Sequence, residues 1–126
     1  MEAARRFLLA AGLCMAPIFA SPAVGAPEPN PHSGFAQLQE CKAYVGEAKG
    51  SDPRMPFFCA GELRALAYVS RVLSSDLNSC VPDGIPNGQL ALVVIHYIEA
   101  RPAQMQEDFM KLAIRAYRDA WPCGER

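Results

Sequence analysis

Cysteine is the residue type that most constrains how this chain can fold. The sequence holds five cysteines, and Cys14 lies in its N-terminal stretch. The other four are Cys41, Cys59, Cys80 and Cys123. An even number of cysteines in a small exported chain predicts structural disulfides, so we expect two of them. Four cysteines allow three pairings, and the sequence alone does not choose among these.

The first 23 residues have the composition of a secretory signal peptide. Two arginines precede a short uncharged apolar run at residues 7–16, and small residues follow. That run is too short for a permanent transmembrane helix, which needs about 20 residues. We therefore expect residues 1–23 to be removed on export, residues 24–34 to form a flexible proline-rich leader, and residues 35–126 to form the folded domain.

The charge balance and the residue inventory exclude several classes of function. Twelve Lys and Arg residues stand against thirteen Asp and Glu residues, so no basic excess is available to neutralise the phosphates of a nucleic acid. The chain has only two histidines. It shows no Ser-His-Asp set, no glycine-rich phosphate loop and no cysteine pair at metal-binding spacing. We predict a protein that is not an enzyme and uses no cofactor or metal.

Hydrophobic periodicity predicts four helices and no strand. The expected helices cover about residues 35–46, 57–78 and 89–100, and a fourth begins at Pro102 and ends at residues 121–123. Segments rich in Gly and Pro separate them. The predicted fold is therefore all-α, a compact four-helix domain with room for one extra short helix, held together by disulfides.

The apolar residues of the second helix form a seam of alternating four- and three-residue steps, which is typical of helix-on-helix packing. Three further side chains widen this seam, and we assign the whole stripe to the core. They are Phe58, Val69 and Val72.

The third helix is apolar almost all round, which predicts a central buried helix or one half of a subunit interface. His96 lies in this helix and is expected to be a hydrogen-bonded core or interface residue rather than a catalyst. Glu99, one turn away, is expected to contact it on the helix surface. His32 lies in the leader and is expected to be a solvated residue.

The turn-dense segment 79–88 contains the strongest candidate for a binding site. Its prolines and glycines prevent a helix from passing through, and Cys80 fixes one end. A loop of fixed shape loses little entropy on binding, so it suits recognition of another protein. The alternative is a plain connector between two helices. We name residues 82–89 the candidate loop, with Ile85 as an apolar anchor and the polar side chains as hydrogen-bonding groups; its binding residues are Pro82, Asp83, Gly84, Ile85, Pro86, Asn87 and Gln89.

Four short segments follow one another along the chain: CKAYVG at residues 41–46, FCAG at 58–61, CVPDGIPNGQL at 80–90 and WPC at 121–123. Together they resemble the Rap/Tai family of type VI secretion system immunity proteins, over residues 37–123. The resemblance implies a helical periplasmic protein, often a homodimer, that blocks a toxin aimed at the cell wall. For the Tai branch the toxin is a peptidoglycan amidase, and a protruding loop between helices enters its active-site cleft. On this resemblance, the candidate loop would plug the cleft of an effector amidase.

Three positions depart from the usual family pattern. Pro86 stands where Thr is common, Glu62 where an aromatic residue is usual, and Ala65 where Gly is usual. Pro86 has no side-chain oxygen to cap a helix, although its fixed φ suits the start of one. The other two positions lie on the second helix, where they can alter packing or a dimer surface.

Three further expectations follow from this interpretation. Of the three pairings, we expect Cys41–Cys59 to join the first two helices and Cys80–Cys123 to tie the candidate loop to the C-terminal tail. A dimer interface is expected on the apolar third helix. The alternative function is a general periplasmic chaperone or stress protein of similar helical, disulfide-bonded type.

Overall fold

The computed structural model describes residues 29–124, which fold into four helices. These are α1 (Gly34–Tyr44), α2 (Met55–Val69), α3 (Asn87–Glu99) and α4 (Phe109–Ala120). Two short 3-10 turns, Ser70–Val72 and Pro102–Gln104, follow α2 and α3. No strand is present among the described residues, so the all-α prediction is confirmed. The predicted signal peptide and leader residues 24–28 lie outside the described residues.

α3 is the central helix because its side chains are apolar on nearly every side. It packs against α1, α2 and α4. Burial of an aliphatic side chain favours folding by roughly 1.5–3 kcal/mol relative to leaving it in water, so the other helices are held around α3. This burial uses much of the apolar surface of α3 within one chain, and the dimer interface expected on this helix stays a prediction. The buried side chains are Leu90, Ala91, Val94, Ile95 and Ile98.

The prediction that His96 is a core residue is wrong, and its alternative role as an interface residue stays a prediction. His96 lies on the solvent-facing side of α3, where its side chain is exposed. Glu99, one turn away, accepts a hydrogen bond from Lys42 Nζ at 2.6 Å. This ion pair joins α1 to α3. The hydrogen bond that Glu99 makes is therefore with another helix and not with His96.

α2 is shorter than predicted and ends at Val69. The Ser70 hydroxyl donates a hydrogen bond to the Ala67 carbonyl at 2.9 Å. A serine bonded in this way competes with the regular helical pattern, and a 3-10 turn follows. The amides of Leu77 and Asn78 then both donate to the Ser74 carbonyl at 2.8 Å, so the chain turns towards Cys80 instead of continuing the helix.

α4 begins at Phe109, whereas the sequence predicts a start at Pro102. Asp108 is the N-cap residue, and its carboxylate accepts a hydrogen bond from the Lys111 amide at 3.2 Å. Pro102 instead starts the separate 3-10 turn. The chain therefore contains two start signals in this region, and the aspartate begins the α-helix.

The first half of the predicted α2 seam lies in the core, but Leu77 near its end is 42% exposed, and the flanking apolar residues are exposed as well. Phe58, Val69 and Val72 are 51%, 40% and 83% exposed, so their assignment to the core is wrong. α1, α3 and α4 all pack against α2, yet one side of the helix remains uncovered by the described residues. Periodicity identified an apolar stripe that is wider than the part of it that is buried.

The two disulfides have the predicted pairing. Cys41–Cys59 joins α1 to α2 with a Cα–Cα distance of 5.4 Å, and Cys80–Cys123 joins the segment before α3 to the tail after α4, at 4.9 Å. In the chain-entropy account, closing loops of this length stabilises the fold by about 3 to 4 kcal/mol each. A buried side chain also links α4 to α2: the Tyr117 hydroxyl donates a hydrogen bond to the Leu63 carbonyl at 3.0 Å. Burial raises the pKa of the Tyr117 phenol.

The N-termini of α1 and α4 meet at a junction of short backbone hydrogen bonds. The Gly34 amide donates to the Glu107 carbonyl at 2.8 Å, and the Phe109 amide donates to the His32 carbonyl at 2.8 Å. Gly34 is buried there, with no space for a side chain: a Cβ on it would overlap Leu112 Cδ1 and lie 3.2 Å from the Met105 carbonyl oxygen. Glycine is therefore required by close approach at this position.

We expect Gly34→Ala to lower the free energy of unfolding by about 1–3 kcal/mol, because neither the fully buried Leu112 nor the backbone of Met105 can move away cheaply. Gly88→Ala is the control, since nothing lies within 4 Å of a Cβ added to this helical glycine. That variant should be neutral or gain up to about 1 kcal/mol. Urea unfolding with intact disulfides measures both, and equal stability of the two variants would contradict the crowded junction.

Candidate partner-binding site

The candidate loop emerges from a closed base. Cys80 is bonded to Cys123, and its amide also donates to the Trp121 carbonyl at 2.8 Å. The next residue, Val81, is 3% exposed and belongs to the core. The Trp121 ring packs edge-on against Tyr117 with 5.4 Å between ring centroids. The loop is therefore attached to the C-terminal tail by a covalent bond and a hydrogen bond, and aromatic packing attaches that tail to α4.

The far end of the loop is the start of α3. Pro86 is the N-cap residue, and its carbonyl accepts hydrogen bonds from the Gln89 and Leu90 amides at 3.0 and 3.1 Å. Its side chain makes no capping bond, as expected for proline. Residues 87–89 of the candidate loop are thus the first turn of α3, which begins two residues before its predicted start.

Arg64 of α2 and Arg71 of the 3-10 turn that follows α2 hold the loop from the side. Arg64 donates from Nε to the Asn87 side-chain oxygen at 2.7 Å and from Nη2 to the Ile85 carbonyl at 2.6 Å. Arg71 donates from Nη2 to the Val81 carbonyl at 2.6 Å. A guanidinium presents several N–H donors in a rigid plane, which suits it to fixing backbone carbonyls. The loop is held in shape without regular secondary structure.

Sequence reasoning missed both arginines, although one signal was present. Arg64 and Arg71 are seven residues apart, which places them two turns apart on one side of a helix. That spacing does not indicate which distant carbonyl groups the two arginines bind. Their partners lie 10 to 23 residues further along the chain, and only the folded structure brings them together.

The candidate residues divide into an exposed group and an anchoring group. The Asp83 side chain is 96% exposed, and Gly84 beside it has a left-handed φ of +78°, which permits a tight bend at the tip. Ile85 is half-buried and packs against the core, and Asn87 is half-buried and accepts the Arg64 bond. These two residues fix the loop to the body. The residues presented to solvent are Pro82, Asp83, Gly84, Pro86 and Gln89.

A shallow cavity of about 190 Å³ lies between α2 and the loop. Arg64, Tyr68 and Arg71 form its helix side, and residues 81–84 form its loop side. Asp83 lies 3.3 Å from Arg71, but an ion pair this exposed contributes little to stability. The cavity therefore combines two cationic side chains, one exposed aromatic ring and one exposed carboxylate beside the tip of the loop.

The described residues offer little for other kinds of function. Across residues 29–124, no group of three or more His, Cys, Asp or Glu side chains is arranged to hold a metal ion. None of the helices described is both long enough and apolar enough to cross a membrane.

Taken together, the fold and the site define a small, disulfide-bonded helical protein with a preformed surface loop, the kind of protein that binds another protein. The sequence model of the Rap1a immunity proteins matches residues 33–123, which is more than half of the chain. The chain belongs to this family of immunity proteins, and the resemblance found in the sequence is confirmed. Comparison with curated proteins and with solved structures gives no significant match. The family implies an effector protein as partner, and the family and both disulfides are consistent with an extracellular or periplasmic location.

We expect the double variant Arg64→Ala, Arg71→Ala to loosen the candidate loop while leaving the four helices intact. Without the guanidinium bonds, the backbone order parameters at Asp83 and Gly84 should fall from about 0.85 to below about 0.6 in NMR relaxation measurements. Arg118→Ala, which removes an exposed arginine of α4, is the matched control and should leave the loop rigid. Unchanged order parameters in the double variant would show that the disulfide and Ile85 suffice.

Proposed function

We propose that this immunity protein acts in the periplasm by binding a type VI secreted peptidoglycan amidase and plugging its active-site cleft with the candidate loop. The observation that carries the proposal is the exposed tip of this loop, with Asp83 96% exposed while Arg64 and Arg71 bind the backbone on either side. Family membership supports an effector as the partner.

Rigidity favours inhibition for an entropic reason. A mobile loop must be ordered when it enters a cleft, which costs roughly 0.5–1.5 kcal/mol for each immobilised side chain, in addition to the cost for the backbone. The disulfide of Cys80 and the two arginines meet that cost during folding. The two prolines, Pro82 and Pro86, restrict the backbone further. The bound conformation is thus largely present before the partner arrives.

The chemistry of the tip suits a catalytic cleft. Asp83 supplies a carboxylate that accepts charge-assisted hydrogen bonds from N–H groups or from a protonated imidazole. Gln89 adds an exposed amide that both donates and accepts. The loop has few other side-chain atoms at its tip, since Gly84 follows Asp83, so the backbone there can approach a cleft closely.

The location and the oligomeric state complete the proposal. Residues 1–23 act as the signal peptide that exports the chain to the periplasm, where the amidase would attack the cell wall and where disulfides form. The protein acts as a homodimer, as the Rap/Tai resemblance implies. The strongly exposed apolar residues available to join two copies lie on α2, whereas those of α3 are buried or half-buried.

The genomic neighbourhood supplies the first test. We expect an adjacent gene to encode a small amidase with a cysteine and a histidine in its active site. The purified protein should bind that amidase and stop its hydrolysis of peptidoglycan. Undiminished hydrolysis in the presence of an excess of this protein would contradict the proposal.

Asp83→Arg should abolish inhibition, with a rise of about 100-fold or more in the inhibition constant, because a hot-spot carboxylate is replaced by a larger group of opposite charge. Glu47→Arg is the matched control: it makes the same change of charge at another exposed acidic residue, in the turn after α1. Both variants should unfold at the wild-type temperature, since neither side chain is buried. Inhibition retained by Asp83→Arg would remove the tip of the loop from the mechanism.

A further inference from the structure

The two disulfides differ in their access to solvent. Cys41 and Cys59 are both 0% exposed and lie among the apolar side chains of the core. Cys80, in contrast, is exposed, and Cys123 is half-buried. Exchange between a disulfide and an outside thiol requires the attacking sulfur to reach one sulfur of the bond. Of these two disulfides, the one at the base of the candidate loop meets this requirement in the folded protein.

The exposure of Cys80 belongs to the folded structure. Its chain neighbours face the core, with Ser79 2% exposed and Val81 3% exposed, so the side chain between them is directed outward. The backbone is fixed on both sides: the Ser79 amide donates to the Ser70 carbonyl at 3.2 Å, and the Cys80 amide donates to the Trp121 carbonyl at 2.8 Å. A thiol can therefore reach Cys80 without any local opening of the chain.

Cys123 lies beside a polar surface cavity of about 330 Å³, bounded by α4 and the tail that follows it. Arg115 and Arg118 line the same cavity. Arg115 is paired with Glu107 at 2.7 Å, and the acidic residue of the cavity, Asp119, is paired with another arginine. Arg118 makes none of the ion pairs found among residues 29–124. It therefore contributes a positive charge that no ion pair in this range offsets.

Access and charge select the same direction of exchange. Access favours attack at Cys80, which is the more exposed of the two bonded residues. When a thiolate attacks a disulfide, negative charge develops on the sulfur that leaves. A guanidinium near that sulfur stabilises the charge, and Arg118 lines the cavity that Cys123 borders. Cys123 is therefore the favoured leaving sulfur.

We propose that the Cys80–Cys123 disulfide is a thiol–disulfide exchange site for a dithiol reductant, with Cys80 attacked and Cys123 leaving, while the Cys41–Cys59 disulfide and the helical core stay intact. Exchange at this site opens the covalent base of the candidate loop. The effect of that opening on inhibition rests on the proposed function, whereas the exchange itself does not.

The exchange is a two-electron reduction in two steps. One thiolate of the dithiol attacks Cys80 Sγ and forms a mixed disulfide with it. The bond between the two cysteines breaks, and its electron pair leaves on Cys123 Sγ, which then takes a proton from water. The second thiol of the reductant, as its thiolate, attacks the first across the mixed disulfide and releases Cys80 as a thiolate. The dithiol departs as its own disulfide, and the protein holds two thiols.

Reduction removes one support of the loop and leaves the others in place. The Cys80 amide still bonds to the Trp121 carbonyl, and Arg71 still bonds to the carbonyl of the buried Val81. The tail stays attached to α4 through the ring of Trp121 on Tyr117. A loop without its covalent closure has more freedom to lose when a partner binds, so the reduced protein binds more weakly.

Reduction without denaturant tests the site directly. Dithiothreitol is added to the folded protein, free thiols are alkylated with iodoacetamide, and peptide mapping locates them. We expect alkylation at Cys80 and Cys123, with the helical circular dichroism spectrum retained. The Cys41–Cys59 disulfide is the internal control and should be reduced at least about 100-fold more slowly, because its reduction requires opening of the core.

A monothiol tests the direction of attack. A short exposure to reduced glutathione, stopped with acid, should leave glutathione on Cys80 and a thiol on Cys123. Arg118→Gln should slow reduction by dithiothreitol by about threefold, because the charge near the leaving sulfur is removed. Lys111→Gln, which removes an exposed charge of α4 outside the residues that line the cavity, is the matched control and should leave the rate unchanged.

Reduced thioredoxin in place of dithiothreitol distinguishes the two sources of a dithiol. Reduction of the same disulfide by both reagents supports a site open to protein dithiols, and reduction by dithiothreitol alone supports a site for small dithiols.

The double variant Cys80→Ser, Cys123→Ser reproduces the opened base and tests its effect on the loop. Its inhibition constant for the amidase should be about tenfold higher than that of the oxidised wild-type protein. An unchanged constant would overturn the effect on inhibition. If the wild-type protein inhibits no amidase, the proposed function fails while the exchange measured by alkylation stands.

Four outcomes would overturn the exchange site. They are reduction of both disulfides at one rate, resistance of both until denaturant unfolds the chain, a glutathione adduct on Cys123, and equal reduction rates for Arg118→Gln and Lys111→Gln.

Discussion

The burial of α3 is the constraint on which the rest of the structure depends. A helix that is apolar on nearly all sides is stable in water only when other elements surround it, and α1, α2 and α4 do so. Their positions then bring distant parts of the chain together: the N-termini of α1 and α4 meet around Gly34, and Tyr117 of α4 reaches the backbone of α2. The candidate loop leads directly into α3, so its far end is fixed in the most buried element of the molecule.

Much of this fold follows from local signals in the sequence. The four helices, the central position of α3 and the existence of the loop were predictable because periodicity and turn residues act over short distances. The end of α2 was not predictable from such signals, because the apolar pattern continues beyond Ser70. The helix stops there, where the Ser70 side chain bonds to the backbone of its own helix. The start of α4 was misplaced because Pro102 and Asp108 both signal a helix start, and the proline begins only a short turn.

The candidate site was predictable in outline but not in its supports. Proline, glycine and a cysteine mark the loop in the sequence, whereas the bonds from Arg64 and Arg71 join residues that only the tertiary fold makes neighbours. The exposure of apolar side chains was harder still to predict from the sequence. An apolar stripe on a helix has the same sequence signature whether it is covered by the same chain or by another molecule, which is why Phe58 and Val72 were assigned to the core.

The disulfide at the base of the candidate loop ties the shape of the loop to the chemistry of its surroundings. Cys80 and Cys123 are 43 residues apart in the sequence, so their bond joins the base of the loop to the tail that follows α4. It also forms only under oxidising conditions. Under reducing conditions the chain therefore lacks the closure at the base of the loop, and oxidation of these two cysteines is the step that completes it.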